Sequence, residues 1–374
     1  MRVVLFCHSL ISDWNHGNAH FLRGVVSELL RRGHAVRVLE PANGWSLSNL
    51  LRDAGADAIG SFKLAYPALH SAFYDLATLD LNSVLADADL VIAHEWSDPE
   101  LVHRLGRHRR SHAYRLLFHD THHRAATAPE TMAAYDLSGF DGVLAFGEVL
   151  RRIYLDRGWA RAAWTWHEAA DTSLFYPKAR SAAVDVVWIG NWGDDERTRG
   201  LEEFLFGPIR ALSLRATVHG VRYPDQARAA LARAGITYGG YIANHRVPEE
   251  FSRHRMTVHV PRRPYTAALP GIPTIRIFEA LACGIPLISA PWDDAEGLFA
   301  RGDFLVARNG TEMREHMQTL IADEPYAAAL AERGRPTILA RHTCAHRVDE
   351  LLAIAEHELG IDSRPEASAE CAAE

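Results

Sequence analysis

Short apolar runs recur along this chain, each closing on polar or small residues, and the stretches between them carry apolar positions three and four apart. The first run is residues 2–7. Residues 19–32 follow as a helix, with Phe21, Leu22, Val25, Val26, Leu29 and Leu30 on one face. Gly33 closes that helix and Ala35-Val36-Arg37-Val38-Leu39 is the next strand, so the chain opens on a strand–helix–strand unit, the seed of a parallel sheet. Further strands are read at 89–94, 115–119 and 142–146, and their polar or small ends suit the ligand-side loops of a doubly wound sheet.

The alternation restarts after Pro177. Strands are read at 185–190, 215–220, 257–260 and 286–289, helices over 201–211 and 227–234, and a last amphipathic helix at 343–359. The fold class expected is therefore α/β, two Rossmann-like doubly wound parallel-sheet domains facing a cleft. Residues 1–166 form the first domain, 167–345 the second and 346–359 a helix packing back on the first. Residues 360–374 read as a small, polar, disordered tail.

Composition narrows this further. A chain of 374 residues exceeds one typical core, and 48% hydrophobic residues can fill two. The net charge of −7, from 40 basic and 47 acidic residues, argues against broad nucleic-acid binding. No apolar stretch is long enough to span a bilayer, which leaves room for peripheral membrane contact only. The first apolar run is too short for a signal peptide, and Cys7, Cys283, Cys344 and Cys371 lack CxxC spacing, so they read as reduced thiols in a cytoplasmic protein.

Candidate chemistry centres on residues 270–289: a Gly/Pro loop, a short helix carrying Glu279, a glycine stop at Gly284 and a buried strand. A loop feeding a helix N-terminus offers N–H groups and a positive dipole end to phosphate, and a carboxylate farther along can take the two hydroxyls of a ribose. Among apolar neighbours such as Phe278 and Leu281, a glutamate is rarely left without a partner or ligand. Arg197 and Arg199, in the glycine-rich loop 190–200, suit a diphosphate, and spacing does not choose between them. Arg262 and Arg263 follow the strand ending at Val260, and Tyr241 could line a base pocket.

Gly17, in the loop after the first strand, could let a backbone approach phosphate or sugar, although neither GxGxxG nor GxxxxGK[ST] occurs. His119, His122 and His123 end another strand. Their spacing matches no zinc pattern, so no metal is expected, and His119 is favoured to hydrogen-bond substrate in the cleft. His167-Glu168-Ala169-Ala170-Asp171 lacks the second histidine of HExxH, which excludes a metalloprotease. Trp14, Trp45, Trp96 and Tyr66 are candidate sugar-stacking rings, although scattered aromatics are usually core.

These segments together resemble a GT-B glycosyltransferase of the large group 1 family, in its spore-maturation-protein-like branch, most strongly over about residues 165–350. Residues 279–286 match its Glu-Ala-x-Ala-x-Gly-x-Pro block, and residues 170–177 resemble its interdomain Val-Asp…Phe-x-Pro segment. Gly190-Asn191 stands for its Gly-Arg and Arg199-Gly200 for its Lys-Gly. Gly17 falls in its N-terminal glycine loop, and His119 at its cleft histidine.

The resemblance implies a nucleotide-sugar donor, UDP-linked in preference to GDP-linked, bound mainly to the second domain. It implies an unidentified glycan, lipid or protein acceptor on the first, and retaining, metal-independent transfer with no cofactor. Glu279 would hold the ribose. Arg197 or Arg199, with the N–H groups of Gly271, Ile272, Pro273 and Thr274 as far as each has one, would hold the diphosphate, supported by Asn191, Tyr241 and Arg276. Gly271 stands where the family has the sugar-contacting first glutamate of Glu-x7-Glu, and Asn191 where it has an arginine. A GT-B-shaped epimerase and a non-catalytic nucleotide-sugar binder are the competing readings.

Overall fold

The computed structural model describes residues 1–374 other than 182, 194 and 363–374. Cys371 and most of the tail expected to be disordered lie outside the described residues. Two parallel sheets organise the rest. The first has the order β3-β2-β1-β4-β5-β6-β7: β1 Arg2–Phe6, β2 Ala35–Pro41, β3 Ser71–Tyr74, β4 Leu90–His94, β5 Arg115–Asp120, β6 Gly142–Ala145 and β7 Ala163–Thr165. The second runs β10-β9-β8-β11-β12-β13: β8 Val184–Ile189, β9 Ala216–His219, β10 Ile236–Gly240, β11 His254–His259, β12 Leu287–Ser289 and β13 Leu305–Val306.

Both sheets wind outward from their first strand in both directions. In the first, Leu5 of β1 lies between Val38 of β2 and Ile92 of β4, and in the second Val187 of β8 lies between Thr217 of β9 and Thr257 of β11. Central strands are densely apolar because helices cover both faces, as Leu90–His94 shows with every residue buried, His94 at its carboxyl end included. The strand order reverses between β1 and β4 and again between β8 and β11. Each reversal opens a crevice at the carboxyl ends of the strands.

The chain returns to the first domain at its end. The helix Cys344–Ala353 lies against the helix Ala19–Arg31 so closely that a Cβ on Gly24 would sit 2.3 Å from Cys344 Sγ. Trp166 Nε1 donates to Arg347 O at 2.8 Å, and Arg32 pairs with Asp349 at 2.5 Å. Residues 201–211 are not one continuous α-helix. A helix Asp195–Leu201 widens into a π-helical stretch Glu202–Phe206 and resumes as Gly207–Leu212. Pro208 has no N–H for the i−4 carbonyl and starts the last segment afresh.

Candidate functional site

The two crevices face each other across one cavity of about 1000 Å³. Its second-domain wall is built from the loop after β8 (Gly190, Asn191, Trp192, Gly193, Arg197), the segment 220–224, Arg262 after β11, and Thr274, Ile275 and Arg276. The last three are the first turn of the helix Ile275–Cys283. Pro270 and Gly271 (φ 86°) form a turn closed by the Ile272 N–H on Leu269 O at 3.2 Å, Thr274 (ψ 158°) starts the helix, and Gly284 ends it in the left-handed region at φ 62°. Thr274 does not cap its own helix. Its hydroxyl lies 3.1 Å from His259 Nε2, and His259 Nδ1 lies 2.8 Å from Ser289 Oγ, so the ends of β11 and β12 fix it. The helix N-terminus is thus turned to the cavity without a self-cap, and the Ile275 N–H donates to the Glu168 carboxyl.

Glu279 sits one turn below, at 0% exposure. Asn244 Nδ2 donates to its Oε1 at 2.7 Å, His20 Nδ1 lies 3.1 Å from the same oxygen, and Arg276 pairs with Oε2. The Asp171 N–H donates to His20 Nε2 at 2.7 Å, which leaves the ring proton on Nδ1, facing the carboxylate. Burial pushes the Glu279 carboxyl up, but Arg276 first, then His20 and Asn244, hold it down at about 2. Glu279 does not line the cavity; Arg276 does, and is the group through which the carboxylate reaches it.

A second buried carboxylate joins the domains. Asp13, in the loop after β1, accepts from Arg23 Nη1 at 2.8 Å, from the Asn244 N–H at 2.8 Å and from the Tyr241 hydroxyl. Arg23 also donates to Leu10 O and Ile11 O, and its guanidinium lies over the rings of Phe62 and Tyr66. Asn244 therefore bridges Asp13 to Glu279 through its backbone and its side chain.

Several expected site residues stand elsewhere than anticipated. Of the two arginines left equal by spacing, Arg197 lines the cavity with its guanidinium over Trp188, whereas Arg199 is exposed and outside it. Gly271, Ile272 and Pro273 are buried and do not line the cavity. Gly271, at φ 86°, abuts Glu296, and Ile272 packs on Gly147, where a Cβ would approach Ile272 Cγ1 to 2.2 Å. His119 is wholly buried against Phe21, Trp166 and His94; it points into the sheet's inner face, and His122 and His123 line the cavity instead. Burial, with His94 beside it, puts the His119 imidazole well below its usual range.

Asn191 lines the cavity but spends its side chain on Asn15 and the Val221 N–H, and Tyr241 lines it with its hydroxyl committed to Asp13. Gly17 lines it too, facing Ile275 Cγ2 at an ordinary 3.6 Å from a Cβ position.

Asp13, His20, Glu168 and Asn244 were not anticipated in these roles. Asp13 lies in the polar loop after β1 and Asn244 opens the short 3-10 helix Asn244–Arg246, with no spacing to mark either. His20 shows as a polar residue on the otherwise apolar face of its helix, beside Phe21. Asp13 and Glu168 are the only carboxylates among the described residues lining the cavity, and Asp13 is already saturated. Glu168 is 7% exposed; burial, then Glu279, push its carboxyl up to about 8 against the pull of Arg276. Among the described residues no group of three or more His, Cys, Asp or Glu side chains could hold a metal ion, and no helix is long and apolar enough to cross a membrane.

Residues 197–353 match the family described as glycosyl transferase-like. No curated protein matches the chain in sequence. Among solved structures, sucrose-phosphate synthase from Thermosynechococcus elongatus superposes with a TM-score of 0.65 at 14% identity, over 96% of this chain and 99% of that one. A glycosyltransferase from Rickettsia africae gives 0.66 at 10% identity, over 96% and 98%. HepE from Anabaena, solved in complex with UDP and glucose, gives 0.64 at 15% identity, over 96% and 100%. At these identities the structures establish a shared GT-B fold, and the sequence similarity to the glycosyl transferase-like family is confined to residues 197–353, most of the second domain and the helix that returns to the first.

Proposed function

We propose that this chain transfers a hexose-type sugar from a UDP-linked donor to an acceptor on the opposite cavity wall, with retention of configuration and without a metal. The observation that carries the reading is the convergence on one wall of a helix N-terminus at Thr274–Arg276 with Arg197 and Arg262, from the loops after β8 and β11. Backbone N–H groups, a positive dipole end and guanidinium groups are what a diphosphate requires. UDP is preferred because HepE binds UDP and UDP-glucose.

In this reading the ribose hydroxyls take Oε2 of Glu279 and Arg276 turns from that oxygen to the phosphates. Glu168, whose neutral carboxyl can both donate and accept, contacts the donor sugar in place of the side chain that Gly271 lacks. The acceptor hydroxyl attacks the anomeric carbon as the bond to the diphosphate breaks, and its proton passes to the departing phosphate oxygen on the same face. Stabilising that diphosphate is then the main catalytic task, and Arg197, Arg262 and the helix N-terminus perform it. His119, shut away from the cavity, has no substrate contact.

The test is release of UDP from UDP-glucose, UDP-galactose and UDP-N-acetylglucosamine, with GDP-mannose as contrast, each with and without EDTA, and proton NMR of the product's anomeric signal. Release from a UDP-sugar, indifferent to EDTA and giving the donor's anomer, is expected. Release only from GDP-mannose, only with a divalent ion, or with an inverted anomer would overturn the corresponding part.

A further inference from the structure

The first domain has a reversal point of its own, between β1 and β4, and its residues are not spent on the nucleotide wall. His8 follows β1, Trp45 starts the helix after β2, and Trp96 follows β4; all three line the cavity. Trp14, Trp166, Trp188 and Trp192 are buried, whereas Trp45 and Trp96 are 40% and 39% exposed. The two exposed rings flank one imidazole, with His8 4.8 Å from Trp45 and 6.4 Å from Trp96 between ring centroids. Trp96 is held in place by the Arg124 guanidinium at 4.5 Å and by His122, edge-on at 5.1 Å.

His8 and His16 are more than nine-tenths buried and both line the cavity, yet Nε2 of each has no hydrogen-bond partner. Unpaired polar atoms beside braced, exposed aromatic planes form a surface awaiting a ligand with an apolar face and a polar rim. A pyranose has that form: its C–H face stacks on an indole while its hydroxyls meet imidazoles. A lipid tail would instead need a continuous apolar channel, and this wall is interrupted by histidines.

Resting on the transferase reading above, we infer that the acceptor is a carbohydrate, its ring seated on Trp45 and Trp96 and one hydroxyl hydrogen-bonded to the His8 imidazole. Burial, with His94 close by, lowers the His8 pKa to about 4, so near neutral pH the ring carries a lone pair able to accept that hydroxyl's hydrogen.

The experiment is saturation-transfer difference NMR on the full chain with methyl glycosides of glucose, galactose, mannose and N-acetylglucosamine, alongside calorimetric titration with UDP. Transfer to the ring C–H protons of at least one glycoside is expected. It should weaken about tenfold in Trp45→Ala and Trp96→Ala and persist in Trp45→Phe, which keeps a stacking plane if the alanine variants misfold. No transfer from any of the four glycosides, or equal transfer in the Trp45→Ala/Trp96→Ala double variant, overturns the inference. Tryptophan-dependent sugar binding without UDP binding would sustain this site and refute the nucleotide site; UDP binding without sugar binding would do the reverse.

Discussion

Replacing Glu168 by glutamine isolates a single ionisation whose sign the structure fixes. An unfolded glutamate titrates near ~4.3, whereas burial, then Glu279, hold the folded Glu168 at about 8. Below the unfolded value both states carry the proton and Glu168 contributes no pH dependence. Between the two values the unfolded chain has released the proton and the folded chain has kept it, so stability falls as pH rises, by about 1.4 kcal/mol per pH unit. Above the folded value the slope from this group vanishes.

Glu168→Gln removes that dependence while preserving the side chain's shape. Its stability should gain on the wild type by about 1.4 kcal/mol for each unit between pH 5.5 and 7.5, roughly 3–5 °C in melting temperature if the responding unit is 150–250 residues. Parallel thermal melts at pH 5.5, 6.5 and 7.5 read the difference directly. A constant offset between the two proteins would show that Glu168 is ionised when folded, and would remove the neutral carboxyl assigned to the donor sugar.

Glu279→Ala should cost about 3–5 kcal/mol, because Arg276, His20 and Asn244 lose their shared partner at a buried site. Glu279→Gln should lose less; equal melting of both variants and wild type would contradict the pairing described. Gly271→Glu restores the family's residue in sequence only. Its backbone sits at φ 86° and its Cβ would lie 2.5 Å from Glu296 Cγ, so the variant should melt lower, by at least ~1 kcal/mol, with no rise in UDP release. Wild-type stability with faster turnover would refute this.

The central strands and the long helix Ala19–Arg31 were legible because burial on both faces imposes dense apolar runs or a clear helical face. Four strands escaped: β3, β7, β10 and β13, the four edges of the two sheets. An edge strand is covered on one side at most, so it needs few apolar residues; Phe73 in β3 is half exposed and β13 has two residues. The block around Glu279 was legible for the same reason as the core, since a carboxylate among Ile277, Phe278 and Leu281 signals a paired group.

Its partners were not legible. Asn244 lies 35 positions away and meets Glu279 through the packing of the second domain, whereas Asp13 and His20, 266 and 259 positions away, join the cluster only where the two domains meet. Spacing likewise could not separate Arg197 from Arg199, because which one enters the cavity depends on how the helix Asp195–Leu201 packs.

That pair offers the most direct test of the donor site. Calorimetric titration with UDP should show saturable binding to the wild type, weakened about tenfold or more in Arg197→Ala, where a charge-assisted phosphate contact is lost, and nearly unchanged in Arg199→Ala. Equal losses in both variants, or no UDP binding by the wild type, would contradict a nucleotide-sugar site on this wall.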